Sequence, residues 1–366
     1  VMPSKKSEKI ALKLDSGYNI SIDKKNVKEI FVIEKQKILK KDKEKIHLKK
    51  GLKNITILHT GGTFASKVDY GTGAVSASFS PEDIVEMFPE IKDIANIKSR
   101  LIRNMFSEDM NFNHYNLIAK EEIASENSDG IIITHGTDTM HYTAAALSFI
   151  LKNVNIPVIL TGAQRSSDRG SSDAFLNLIC AVNFIAKTDF IGVAICMHEN
   201  LNDESCLILP GLKSRKIHSS RRDAFRSINS RPIARVNLKN IEFISSYEKK
   251  TNNRKLELKL FNPEIKVGIL KAHPGLKMEE LKAYSKFDGL VIEGFGVGSH
   301  FPINKIDEFT EENEKIYYTL KKLAKKMPIV ATTQTIFGRI NMDVYSTGVG
   351  MKEIGILGNY SDLTTE

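Results

Sequence analysis

Apolar positions change their spacing twice along the chain. From residue 8 to 36 they alternate with polar neighbours: Ile10, Leu12 and Leu14, a Ser16-Gly17 turn, Ile20-Ser21-Ile22, then Val27 to Ile33. Alternation without a helical period predicts a small β unit resembling a partial barrel. Lys35 to Lys50 is lysine-dense and reads as an exposed linker, because solvation is the ordinary state of such a charge run. From Gly51 short β-branched apolar runs alternate with helix-length segments. Strands are expected at Ile55–Leu58, Ile131–Thr134, Val158–Leu160 and Phe190–Cys196, with helices at Met140–Lys152 and Asp173–Lys187. That order predicts a parallel sheet with helices on its faces. Ser214 to Asn240 is polar and irregular, and Glu248 to Lys255 is charged enough for an interdomain loop or linker. A second βα series follows at Lys266–Lys271, Met278–Ser285, Gly289–Ile292, Glu311–Lys325 and Ile329–Thr333. The expected plan has three parts: a small β domain with basic linker at 1–50, a large α/β domain at 51–250, and a smaller C-terminal α/β domain at 251–366.

A length of 366 residues agrees with more than one core. Both ends are expected to be cut, since Val1-Met2-Pro3 leads directly into structured-looking sequence and Ser361 to Glu366 resembles a helix start. Hydrophobic content of 41% and charged content of 27% are those of an ordinary soluble protein. The net charge of +9 is compatible with an acidic partner such as RNA and equally with simple solubility. Cys180, Cys196 and Cys206 lack CxxC spacing, and the first and second lie in apolar runs, which favours buried thiols over a disulfide frame or metal site. No run reaches membrane-spanning length and no signal core follows the lysine-rich start, so a cytoplasmic protein is expected.

Candidate chemistry clusters at strand exits. Ile57-Leu58-His59-Thr60-Gly61-Gly62-Thr63 sets two glycines between two hydroxyls where a buried strand ends. Glycines there let the backbone turn sharply and let a ligand approach the main chain. The plain alternative is a turn with two solvated threonines. Gly130 to Met140 repeats the pattern with His135-Gly136-Thr137-Asp138-Thr139, where Thr137 or Asp138 could serve only to cap the next helix. Between them lies a third polar cluster, Ser107-Glu108-Asp109-Met110. His59, His135, His141 and His198 have no paired metal spacing and read as structural. Arg165, Asp168 and Arg169 fit structural salt bridges as well as RNA contacts.

Taken together, these clusters resemble the asparaginase/glutaminase family of amidohydrolases. The matching motifs are Thr60-Gly61-Gly62-Thr63, Ser107-Glu108-Asp109-Met110, His135 to Met140, Thr161-Gly162-Ala163-Gln164-Arg165 and Glu293-Gly294-Phe295-Gly296-Val297-Gly298, over roughly residues 52 to 366. Within it, the leading β unit and the run from Arg215 to Phe225 are similar to the D-subunit branch of archaeal glutamyl-tRNA(Gln) amidotransferases. The resemblance implies a two-domain asparaginase-like fold behind a small β-barrel-like domain. It implies Thr63 as nucleophile, with Thr137, Asp138 and Lys216 as the linked group that moves protons and holds charge. Ser107 and Glu108 would hold the amino-acid end of the substrate, and Tyr70 would be the lid tyrosine. Relatives often carry glutamine at the position of Glu108. Many asparaginases also place an asparagine near Val297 or Ser299 that reaches a neighbouring active site, and none stands here. Lys216 lies among Lys213, Arg215, Arg221 and Arg222, so a solvated basic loop competes with a catalytic role.

The implied function is glutamine hydrolysis that supplies ammonia to a partner subunit, GatE, for converting Glu-tRNA(Gln) to Gln-tRNA(Gln). ATP and Mg are expected on that partner, since the chain has no GxxxxGK[ST] run, and tRNA contact mainly through it. A homodimer is implied by the family. A free asparaginase acting on small amides is the nearest rival, and a catalytically silent binding protein the remoter one.

Overall fold

A run such as Ile131-Ile132-Ile133 puts apolar side chains on both sides of a strand and so requires cover on both faces. In this computed structural model, which describes residues 8–13, 19–29, 31, 48–61, 66–68, 75–77, 89–123, 128–165 and 171–366, that run lies inside an eight-stranded sheet. The described residues begin with an antiparallel pair, β1 (Lys9–Lys13) and β2 (Asn19–Asp23). A 3-10 turn over Lys24–Asn26 follows, and Val27 to Glu29, the described start of the further strand expected at Val27 to Ile33, carry no strand; most of what remains of the expected barrel-like unit and most of the basic linker lie outside the described residues. β3 (Asn54–His59) starts the main sheet. The pair β4 (Ser66–Val68) and β5 (Val75–Ala77) follows, then β6 (Asn96–Leu101), α1 (Phe112–Ile123), β7 (Gly130–Thr134) and α2 (Met140–Ile150). Next come β8 (Leu151–Lys152), β9 (Pro157–Thr161), α3 (Ala174–Lys187) and β10 (Gly192–His198).

Strands β6, β3, β7, β9 and β10 pair in parallel in that spatial order. The chain therefore leaves β3 towards one edge and then reverses past it to β7. Such a reversal opens a crevice at the carboxyl ends of the two strands, where open α/β sheets bind ligands. Alternate side chains serve two cores: Ile55, Ile57, Ile132 and Ile159 pack under α3, while Leu58, Ile131, Ile133 and Leu160 pack under α1 and α2.

The purely parallel sheet expected from the pattern is corrected on one side. β11 (Cys206–Pro210) returns antiparallel beside β10. The stretch expected to be irregular holds three short strands, β12 (Ser214–Lys216), β13 (Phe225–Ser227) and β14 (Ala234–Val236). β14 and β15 (Ile241–Phe243) extend the sheet antiparallel, and β12 pairs with β13 as a separate hairpin. Three-residue strands rich in Arg, Lys and Ser carry too little apolar period to be read from sequence. The helix expected to reach Lys152 stops at Ile150, because Leu151 and Lys152 pair with β16 (Glu257–Leu258). The charged stretch from Glu248 to Lys255 is pinned rather than free: Lys249 bridges Phe190, and Thr251 exchanges hydrogen bonds with Asn155.

A third core is built on three parallel strands, β17 (Val267–Lys271), β18 (Gly289–Gly294) and β19 (Ile329–Thr333). Leu270, Leu290, Ile292 and Ile329 pack there against Ile316, Leu320 and Leu323 of a helix over Glu311–Ala324. No helix among the described residues is long and apolar enough to cross a membrane.

Candidate active site

The exits of β3 and β7 both open on the reversal crevice. Thr60, just past β3, donates both its backbone N–H (3.2 Å) and its hydroxyl (3.0 Å) to the carbonyl of Thr134 at the end of β7. Gly61 has φ of +113°, and a Cβ there would stand 2.3 Å from the Met105 carbonyl oxygen, so this turn requires glycine. Thr60 is thus structural. Thr63 and Tyr70 lie outside the described residues.

The β7 exit is fixed by a buried histidine. His135 Nδ1 lies 2.7 Å from the Gly136 carbonyl, which only accepts, so Nδ1 carries the proton and Nε2 accepts from Thr143 Oγ1 at 2.8 Å. Burial pushes this imidazole down to about 4, against the opposing Gly136 bond, and burial pushes His59 down to about 3. Both rings are neutral in the folded protein near neutral pH. Their folded values lie below the unfolded value of 6.5, so the unfolded chain binds more protons between them. Their contribution to stability is complete above pH ~6.5 and is lost as pH falls towards 4 and 3, on the order of a few kcal/mol together. Chemical unfolding from pH 7 to 4 should show this fall, and a His135→Asn variant should flatten it; an unchanged slope would exclude His135 as a contributor.

Thr139 is the N-cap of α2, which starts at Met140, so neither Thr137 nor Asp138 holds the capping position considered for them. The Thr139 hydroxyl instead donates to the Ser107 carbonyl at 2.7 Å. That bond ties the polar cluster Ser107–Asp109, a single 3-10 turn, to the β7 exit. A Cβ at Gly136 would come within 2.8 Å of Ser107 Oγ, so the glycine makes room for this approach. Ser107 is buried and Glu108 is exposed.

Lys216 arrives from β12. Its partner in register is Phe225, which is fully buried and packs with α2, so the hairpin is anchored in the core opposite the lysine. Lys216 Nζ donates to Thr137 Oγ1 and to Asp138 Oδ1, each at 2.9 Å. The lysine side chain is only 9% exposed, whereas that of Asp138 is 70% exposed. This removes the solvated-loop alternative for Lys216. It also joins three of the four residues expected to do the chemistry in one hydrogen-bonded group.

The basic residues around Lys216 are each engaged by a carboxylate. Lys213 meets Asp362, Arg215 meets Glu366, Arg222 meets Asp203, and both Arg221 and Arg226 meet Asp223. Burial works to raise the Asp223 carboxyl, yet the two guanidiniums hold it below its ordinary value. Asp223 is an organising residue whose one signal in the sequence is an acid directly after Arg221-Arg222. Asp173 is another, receiving the backbone N–H groups of Gln164 (3.0 Å) and Arg165 (2.9 Å) in the Thr161–Arg165 motif. Asp168 and Arg169 lie outside the described residues. Among the described residues no group of three or more His, Cys, Asp or Glu side chains is arranged to hold a metal.

This geometry agrees with the comparisons. The asparaginase N-terminal family model matches residues 54–249, and the glutaminase/asparaginase C-terminal domain model matches 266–366. The glutamyl-tRNA(Gln) amidotransferase D-subunit of Methanococcus maripaludis is 44% identical, over 98% of this chain and 84% of that protein. The D-subunit of the same enzyme from Pyrococcus furiosus is 44% identical over 95% and 78%. Among solved structures, the thermostable L-asparaginase from Thermococcus kodakarensis superposes with a TM-score of 0.72 at 30% identity, over 85% of this chain and 89% of that one. L-asparaginase I from Vibrio cholerae gives 0.72 at 28% identity, over 86% and 89%. The chain therefore belongs to the asparaginase/glutaminase family, on its glutamyl-tRNA(Gln) amidotransferase D-subunit branch.

Proposed function

We propose that this chain is the glutaminase subunit of a tRNA-dependent amidotransferase. The observation that carries the chemistry is the buried Lys216 amine bonded to Thr137 and Asp138 at the reversal crevice. A carboxamide is a weak electrophile, so attack on it by a hydroxyl needs a proton acceptor at hand. In the proposed sequence Thr63 Oγ bonds to the amide carbon of glutamine, and its proton passes to the Lys216 amine through Thr137. The tetrahedral intermediate expels the amide nitrogen, which takes that proton and leaves as ammonia. Water then cleaves the glutamyl ester, releasing glutamate and restoring the threonine hydroxyl. Asp138 holds the substrate ammonium and orients Lys216, Ser107 and Glu108 hold the amino-acid end, and Tyr70 closes the site.

The subunit role is supported by the reach of the likeness. The asparaginase model begins at residue 54, while the amidotransferase relative aligns with 98% of the chain and so includes most of the segment before it. The partner would be GatE, which would bring ATP, Mg and most of the tRNA contact; this subunit would act in the cytoplasm as a homodimer.

The test is ammonia release from glutamine by the chain alone, then with GatE and Glu-tRNA(Gln). The partner and charged tRNA together should raise the rate at least about fivefold, the scale of an ordinary coupling between sites. Strong hydrolysis that the partner leaves unchanged would return the chain to the free asparaginase reading.

A further inference from the structure

We infer that Asp362 and Glu366 are positioning residues for Lys216, acting through the strand that carries it. This deepens the reading above and rests on it, since it presumes that Lys216 moves the proton.

Side chains alternate along an extended strand, so Ser214 and Lys216 point to one side of β12 and Arg215 to the other, with Lys213 directly before the strand. One side faces the reaction: Lys216 reaches Thr137 and Asp138. Arg215 on the opposite side, and Lys213 at the entry to the strand, are gripped by the last described segment of the chain. Lys213 Nζ lies 2.5 Å from Asp362 Oδ2, and Arg215 Nε lies 3.4 Å from Glu366 Oε1. Glu366 is nearly buried and also lies 3.4 Å from His141 Nε2 in the first turn of α2, two residues beyond Thr139.

The hairpin's second strand is held as well. Asn229, two residues past β13 and in a left-handed conformation (φ 52°), donates to the carbonyls of Gly338 (2.9 Å) and Asp362 (3.0 Å) and accepts from the Gly338 N–H (2.8 Å). The hairpin itself is short, with three paired residues per strand, and pairs only within itself. Its placement therefore depends on Phe225 in the core and on these tethers from residues 338 to 366. A base displaced by about an ångström loses rate out of proportion to the contact removed, because proton transfer needs hydrogen-bond distance.

The experiment is a double-mutant cycle on glutamine hydrolysis, using the full chain with its partner subunit present. Asp362→Asn with Glu366→Gln should lower kcat about tenfold or more while KM changes less than about twofold, as for an interaction that acts on the chemical step. In a Lys216→Met background the same pair should cost nothing further, because the group they position is gone. Asp362→Glu should restore most of the rate. Unchanged kcat, or a loss that adds in full to that of Lys216→Met, would overturn the inference while leaving Lys216 in its role. Full activity of Lys216→Met by itself would instead remove the underlying reading. Should the acid-side variant not fold, Lys213→Met cuts the Asp362 tether from the β12 side and is read in the same way.

Discussion

Lys216→Met is expected to lower ammonia release from glutamine by about 10²–10⁴-fold, the range of general acid–base assistance, while leaving the melting temperature unchanged or higher. The two halves of this result have different causes. Activity falls because the only described side-chain donor reaching both Thr137 and Asp138 is removed. Stability does not fall, because the ion pair is lopsided. The lysine is 9% exposed and Asp138 is 70% exposed, so removing the lysine leaves no buried charge behind; Asp138 is left in water. Methionine fills a similar volume without a charge to desolvate, and such replacements of buried ions are often neutral or stabilising. Asp138→Ala should behave oppositely in stability, since it takes the carboxylate away from the buried Lys216 amine and leaves it only the Thr137 hydroxyl. Paired assays of ammonia and thermal unfolding check both. Full turnover by Lys216→Met would end the proton-carrier role.

The second large effect separates the two threonines. Thr63→Val is expected to cut glutamine hydrolysis by about 10⁴-fold or more and to abolish any covalent glutamyl adduct, as loss of a nucleophile does. Thr137→Val removes the hydroxyl beside Lys216 Nζ and should cost about 10²–10³-fold by breaking the proton path, yet acid quenching should still trap the ester, now formed slowly. Intact-mass spectrometry on quenched samples distinguishes these outcomes. An adduct on Thr63→Val that is absent from Thr137→Val would exchange the two roles.

Much of this arrangement is legible in the residues. The central strands announce themselves because a run such as Ile131–Ile133 must be covered on both faces, and the observed β7 and β9 fall within a residue of expectation. Glycine-hydroxyl clusters at strand exits mark the crevice only because several recur in order, since each alone reads equally as a turn or a helix cap. What stays hidden has a common physical origin. The hairpin of β12 and β13 owes its order to one aromatic anchor and to ion pairs reaching across long sequence separations, such as Lys213 with Asp362. Period and propensity are local quantities and carry no trace of such partners. In sequence the basic run from Arg215 to Arg222 therefore leaves a solvated loop in competition with a catalytic role for Lys216, and only in space does it meet its carboxylates. The outer antiparallel strands escape for a related reason: β14 and β15 are three residues each, too short for alternation to register.

The three cysteines, all free and without exposed surface, have a practical consequence. Burial raises the Cys196 and Cys206 thiols, further reducing the thiolate that alkylating reagents attack. A cysteine introduced on the surface would thus be the one that reacts in the native protein, which allows a single dye to be placed without first removing the natural thiols. Conversely, uptake of label at Cys180, Cys196 and Cys206 would serve as a clock for the opening of the main sheet, since reagent reaches them only when the strands and α3 separate.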